Sequence, residues 1–431
     1  MKLTSTIFRM LITSLTVCLL SSIVVAENWP QWRGPQGNGI SSETDVPVKW
    51  SPDENIAWRL EMPGPAGSTP IIWEDRIFVS SVDKDMLSLV CVSTDGKQLW
   101  SKTVGKGNKN VRGDEGNYAS PTPVTDGKHV WVFFGQGDLA CFDFDGNEVW
   151  AKNLQEEYGK FEIQFGMSST PVLHGDNLYF QLIHGKWSSE PSRGIVVAID
   201  KSSGKEVWKT MRLTDAINEN KHSYASPILY DDGKLQYLVT HGADYVIAYD
   251  LKDGSEIWRC GNINPKANYN DTLRLVATPA AAQGLIVVPS AKGGPVLGLR
   301  ADLKGNVTED DAAYKWVMKR GTPDVPSPLI HEGLVYLCRE NGNLICLDAE
   351  SGEKIYEDRT VAERHRASPV LAGDHIYLTA RNSGTVTVVK AGRDFEIVSK
   401  NTLDEAISAS PAISGGRIYL RSFDALYAVG K

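Results

Sequence analysis

Cysteine is scarce and does not come in a pairable set. Of six in 431 residues, Cys18 lies in the opening apolar run, and the other five, Cys91, Cys141, Cys260, Cys338 and Cys346, are odd in number. A complete disulfide framework is therefore excluded, and a chain of this length holds itself together through a core instead. Apolar runs of membrane-spanning length, about 20 residues, are missing as well. The one sizeable run, Met10 to Val25, is shorter, follows Lys2 and Arg9, and ends at Ala26 before Glu27. That is the pattern of a secretory signal peptide over residues 1–26, which implies a periplasmic or extracellular protein. Lipid attachment at Cys18 is disfavoured, because Val17 before it is not small. Positive charge is also in deficit: without Lys2 and Arg9 the basic count falls from 45 to 43 against 53 acids, a net charge of −10. An acidic surface repels phosphate backbones, so nucleic acid is not an expected partner.

The motifs of common catalytic sites are lacking too. There is no His-Glu-x-x-His pair, no Gly-x-Ser-x-Gly elbow and no Cys-x-x-Cys. Asp143-Phe144-Asp145-Gly146 looks like the start of a calcium loop, yet its twelfth position is Leu154, where a bidentate acid is required. No catalytic residue and no metal ligand is assigned.

What is present is repetition. A small residue and Ser/Thr-Pro recur at Pro70, Pro121, Pro171, Pro227, Pro279, Pro328, Pro369 and Pro411, a period of about 40 to 56 residues that marks a propeller or array. Each proline precedes an apolar stretch, a Gly/Asp turn and a second strand with an aromatic, as in Ile77-Phe78-Val79 and Ile376-Tyr377-Leu378. A third strand ends in small-apolar-Asp (Val197-Ala198-Ile199-Asp200), and Trp follows the next turn glycine by four residues: Trp100, Trp150, Trp208 and Trp258. Four short strands per unit make a propeller blade.

The fold class expected is therefore all-β, an eight-bladed propeller of four-stranded antiparallel blades, with seven blades the alternative because units five and seven are degenerate. Unit eight ends after its third strand. The missing one is supplied by Asn55-Ile56-Ala57-Trp58-Arg59-Leu60, so the N-terminal strand closes the ring and removes the open edges. Three segments follow: a signal peptide over 1–26, a Trp/Pro/Gly-rich arm over 27–54, and the propeller over 55–431. The arm, with Trp29 and Trp32, either covers a blade edge or face or serves as a docking peptide.

The small-Ser-Pro opening, the third strand ending in Ala-apolar-Asp, and the Gly-to-Trp spacing together resemble the tryptophan-docking repeat of the PQQ-like, quinoprotein-type family, over residues 55 to 431. That family includes quinoprotein alcohol dehydrogenases and the non-enzymatic outer-membrane assembly protein BamB. The resemblance implies either a binding scaffold or an oxidoreductase using pyrroloquinoline quinone and calcium. The second needs adjacent cysteines beside the quinone, and no two cysteines here are adjacent, so no cofactor is assigned and the scaffold reading is preferred.

Within the repeat, Trp58, Trp100, Trp150, Trp208 and Trp258 recur once per unit, which points to blade packing. Cys91, Cys141 and Cys346 take the slot held elsewhere by Ala198, Ala248 and Ala428, a small buried position. Cys338 and Cys346 flank an Asn341-Gly342 hairpin; the pleat either brings them close or sends them to opposite faces. Binding residues are sought in the loops that lead into the first strands and join second to third strands, which share one face of a propeller. Those loops carry Arg112, Asp114, Asn117, Tyr118, Gln164, His222, Tyr224, Arg274, Arg364, His365 and Arg366, taken as a channel-mouth site for an envelope protein or a small molecule. A monomer is expected.

Overall fold

The computed structural model describes residues 26–109, 116–261 and 263–430; all but Ala26 of the expected signal peptide 1–26, together with Arg112 and Asp114, lie outside them. Eight four-stranded antiparallel sheets follow one another along the chain. Blade 1 comprises Ile71–Trp73, Arg76–Asp83, Met86–Ser93 and Gln98–Lys106. Blades 2 to 7 repeat the order, their innermost strands being Val124–Thr125, Val172–His174, Ile228–Asp231, Ala280–Ala282, Leu329–His331 and Val370–Ala372. The degenerate units five and seven both form complete blades. Blade 8 takes Ala412–Ser414, Arg417–Arg421 and Ala425–Val429 from the C-terminal end and Ile56–Glu61 from the N-terminal side, with Trp58 opposite Ala428.

The blade repeat has a packing cause. The small third-strand residue lies between the second-strand aromatic and the outer-strand Trp: Cys91 between Phe78 and Trp100, Cys141 between Trp131 and Trp150, Ala198 between Tyr179 and Trp208. A larger residue would separate the two rings. Each outer Trp then docks on the following blade. Trp58 Nε1 donates to the Thr94 carbonyl (2.8 Å), Trp100 to Phe144 (2.9 Å), Trp150 to Lys201 (3.0 Å), Trp208 to Leu251 (3.0 Å) and Trp316 to Ala349 (2.9 Å). The indole lies against the turn glycine of that blade, so closely that a Cβ on Gly254 would stand 2.4 Å from the Trp208 ring. Trp258 is the exception: it is fully buried under the blade 5 insertion, with Leu303 and Val307 in the same cluster, and Gly305–Asn306 adds a parallel strand to its edge.

One detail differs from the sequence reading, and one alternative left open there, the faces taken by Cys338 and Cys346, is decided. The structural equivalent of the other prolines in unit two is Pro123, which directly precedes Val124–Thr125, because Ala119-Ser120-Pro121 imitates the motif two residues early. Cys338 and Cys346 share a face, since Tyr336 opposes Cys346 and Cys338 opposes Leu344. They are diagonal neighbours and both thiols are free, diagonal spacing being too long for a bond.

The arm does more than cover an edge. Trp29 pairs with Ile72 on the inner edge of blade 1 (2.8 Å in both directions), and Thr125 of blade 2 donates to the Pro30 carbonyl (2.9 Å). Arg33 then reaches the Pro328 carbonyl of blade 6 (2.6 Å), and Leu371 of blade 7 donates to Gly39 (2.8 Å) before Ile40–Ser41 pairs in parallel with Leu371–Ala372. The arm therefore crosses the propeller axis at the level of the innermost strands, and returns past Trp50, stacked on Tyr377, to the closing strand.

Candidate functional site

The residue before each first-strand proline carries a hydroxyl, and these hydroxyls bind the blades at the axis. The N–H of Thr69 donates to Thr122 Oγ1 (3.0 Å), Thr122 to Thr170 (3.0 Å), Thr170 to Ser226 (2.9 Å) and Ser226 to Thr278 (2.9 Å). Thr278 continues to Ser327, Ser327 to Ser368 and Ser368 to Ser410, each at 3.0 Å. Proline explains the neighbouring position: it fixes an extended entry to the strand and has no N–H to leave unsatisfied.

All eight hydroxyl residues line one cavity of about 600 Å³ on the axis. The arm residue Trp32 also lines it, and the remaining wall comes from the loops entering the first strands and from second-to-third-strand turns. The result is a funnel. One sector, from blades 5 to 7, is charged. Lys292 Nζ lies 2.8 Å from Glu340, and Arg366 Nη1 lies 3.4 Å from Glu340 and 3.6 Å from Asp324, with Arg364 3.6 Å from Glu340. Burial and the adjacent Glu340 push the Asp324 carboxyl up. Burial acts upward on Glu340 too, but Lys292 and Arg366 hold it below the usual carboxylate range. Asp324 is thus the weaker acid of the pair and Glu340 the stronger, the latter held by Lys292 and Arg366. The facing sector, with Pro65, Ala66, Phe165, Tyr224 and Phe423, is small or aromatic. Arg274 lies between the two, ion-paired with Glu219 at 3.2 Å and 5.0 Å above the Phe165 ring.

Of the residues singled out from sequence, Asn117, Tyr224, Arg274, Arg364 and Arg366 line the funnel. Asn117 is mostly committed to the scaffold, donating to the Pro65 carbonyl (2.9 Å). Four others do not reach the lining. Tyr118 packs over Gly135 and Gly166, Gln164 is exposed outside it, His222 is buried with Nε2 3.0 Å from the Gly185 carbonyl, and His365 is fully buried with Nδ1 against the Glu363 carbonyl (2.9 Å). The reason is alternation: in an extended loop neighbours point to opposite sides, so Arg364 and Arg366 flank the cavity while His365 enters the core. Its own N–H donates to the Glu340 carbonyl (2.8 Å) and so fixes the two arginines relative to that acid. The sequence reading missed Lys292, Glu340 and Phe423, which occupy the turns between second and third strands; equivalent turn positions across blades would have found them. No local signal pointed to Trp32, which arrives by the path of the arm.

The five described cysteines lie inside the blades and none lines the funnel. Burial pushes the Cys91 and Cys141 thiols up to about 12, which leaves them unreactive.

Comparison with known proteins agrees with this architecture. A family model described as outer membrane protein assembly factor BamB matches residues 40–181, 87–210 and 191–394. BamB of Yersinia pestis is 22% identical over 217 residues, 46% of this chain and 50% of that protein, so the matched part spans about half the relative's length. Among solved structures, BamB from Moraxella catarrhalis superposes with a TM-score of 0.61 at 14% identity, covering 87% of this chain and 96% of that one. The quinohemoprotein alcohol dehydrogenase of Comamonas testosteroni gives 0.64 at 13% identity, covering 94% and 80%. With the family model matching residues 40–181, 87–210 and 191–394, most of the chain's length, this chain belongs to the PQQ-like repeat family described as outer membrane protein assembly factor BamB.

Proposed function

We propose that the protein is an exported binding scaffold of the cell envelope that engages its partner or ligand through the funnel face. The observation that carries this reading is the convergence of loops from every blade on one cavity whose ionisable groups are tied to each other. Asp324 and Glu340 are held by Lys292, Arg364 and Arg366, and such a set is arranged for recognition; a catalytic base would need a carboxylate presented to substrate. The relatives named for outer-membrane assembly favour the same role.

The dehydrogenase relative favours a second reading, oxidation of an alcohol with bound quinone and calcium. The residues present fit that pair poorly: the funnel offers no thiol, and no group of three His, Cys, Asp or Glu suited to a metal occurs among the described residues.

The test is capture from envelope extract on immobilised mature protein, comparing wild type with Lys292→Glu at the funnel mouth and Lys128→Glu, an exposed turn on the opposite face. A partner retained by wild type and Lys128→Glu but lost with Lys292→Glu supports the scaffold. Turnover of an alcohol with an artificial electron acceptor, dependent on added quinone and calcium, would replace it with the enzyme.

A further inference from the structure

The outer strands share more than the docking tryptophan. Residues two and four places beyond it project to the same side of an extended strand, and so enter the same joint with the next blade. Trp58, Trp100, Trp150, Trp208, Trp316, Tyr356 and Ser399 oppose their third strands at equivalent register, which makes the count comparable from blade to blade. Two places on, Lys152 Nζ donates to the Gly204 carbonyl (2.5 Å) and Thr210 Oγ1 to the Gly254 carbonyl (2.7 Å). Four places on, Met62, Leu154, Arg212, Thr360 and Leu403 are buried and Val104 is half-buried, so that a side chain plugs each joint.

Blade 5 departs at both positions. Met318, two beyond Trp316, has no proton to give to the Gly352 carbonyl, and Arg320, four beyond, is exposed. The strand ends at Met318, and Gly321, with φ +114°, turns the chain away directly after Arg320. The plug is therefore missing, and a cavity of about 300 Å³ is left between blades 5 and 6. Its floor is apolar, with Met318 packed in one cluster with Ile345 and Leu347 of blade 6. Its rim is basic. Lys354 lies 2.9 Å and Arg339 3.3 Å from Glu357, the one acid in the lining, and with Asn343 they hold that carboxyl below the usual carboxylate range. Arg320, the third cation of the lining, has no hydrogen bond or ion pair among the described residues.

An apolar void forfeits the dispersion contacts of its walls, and hydrocarbon restores them. Two cations already share one carboxylate, so a further anion at the rim finds its counter-charge in Arg320. A volume at the lower end of small-molecule sites suits a single chain of medium length.

We propose that the joint between blades 5 and 6 binds a linear aliphatic carboxylate, its chain over Met318, Ile345 and Leu347 where the other joints carry a side chain, and its carboxylate at Arg320. The site lies outside the axial funnel and stands or falls independently of the scaffold role.

The experiment is calorimetric titration of the mature chain with octanoate, 1-octanol and acetate, which supply chain and charge together and each alone. Octanoate should bind saturably at one site, with 1-octanol at least about five-fold weaker and acetate without saturable binding. Arg320→Gln changes an exposed side chain and should raise the octanoate Kd about five- to ten-fold. Lys128→Gln, the same change of charge on an exposed turn of blade 2, should leave it unchanged. Met318→Phe fills the cavity without touching the charge and should weaken octanoate and 1-octanol alike. The proposal is overturned if octanoate does not saturate, if either single-feature compound binds as tightly as octanoate, if Arg320→Gln binds no more weakly than Lys128→Gln, or if Met318→Phe binds as wild type.

Discussion

His241 and His184 lie in low-dielectric surroundings, and burial depresses both imidazoles, His241 to about 3 and His184 to about 4. In the unfolded chain each takes up a proton near pH 6.5. The unfolded state therefore binds more protons below that pH, and the stability present at pH 7 is lost as pH falls from 6.5 towards the folded values. The slope is about 1.4 kcal/mol per pH unit per histidine, so urea unfolding should show a loss of roughly 4 kcal/mol between pH 7 and pH 5. Equal stability at the two pH values would mean that these rings are hydrated in solution. Gly254 makes a sharper local prediction. Its φ is +70° and its missing Cβ would meet the Trp208 ring at 2.4 Å, so Gly254→Ala should cost about 2 to 4 kcal/mol through backbone strain and displacement of the indole, read as a lowered urea midpoint with unchanged slope. At this scale the sequence was partly legible. The four-residue step from glycine to tryptophan was visible, but the glycine receives the indole of the preceding blade, and a contact between units leaves no trace in the spacing within one.

The elements show why the repeat takes its form. Thr122 accepts the Thr69 N–H at 3.0 Å in a buried joint between two innermost strands, at the funnel wall. Thr122→Val keeps the shape and removes the acceptor, which should destabilise by about 1 to 3 kcal/mol; Thr122→Ser should be nearly neutral, and thermal unfolding of the two side by side separates the hydroxyl from the methyl. The closing strand carries a larger share. Trp58 joins Ile56–Glu61 to the turn of blade 1 through Thr94, so Trp58→Ala should cost about 3 to 5 kcal/mol and make the ring seam, between blades 8 and 1, the first region to exchange amide hydrogens. Uniform exchange around the ring would show that closure is no weaker than any other blade joint. Strand number, the borrowed N-terminal strand and the identity of most outer tryptophans were readable from local pattern. The first strand of blade 2 was placed two residues early because Ser120-Pro121 and Thr122-Pro123 carry the same local signal, and only the hydroxyl chain around the axis distinguishes them.

Across the whole molecule the arm and the ring are interdependent. Residues 29 to 41 touch the innermost strands of blades 1, 2, 6 and 7, so the arm braces blades far apart in sequence and forms the inner end of the funnel. Trp29→Ala should lower the unfolding temperature of the entire propeller in one transition and weaken binding at the funnel although residue 29 does not line it; a separate low-temperature transition for the arm would contradict that coupling. The sequence by itself determined the all-β class, the eight blades, the ring closure and the acidic character, because each is written in local period, turn chemistry and composition. Only the tertiary structure decided which loop residues share a cavity, that Asp324 and Glu340 stand together under Arg366, and that Trp32 and Arg33 belong to the axis. Those facts depend on the side of an extended loop to which each residue points and on where a non-periodic arm crosses a closed ring, and neither is encoded by the order of neighbours along the chain.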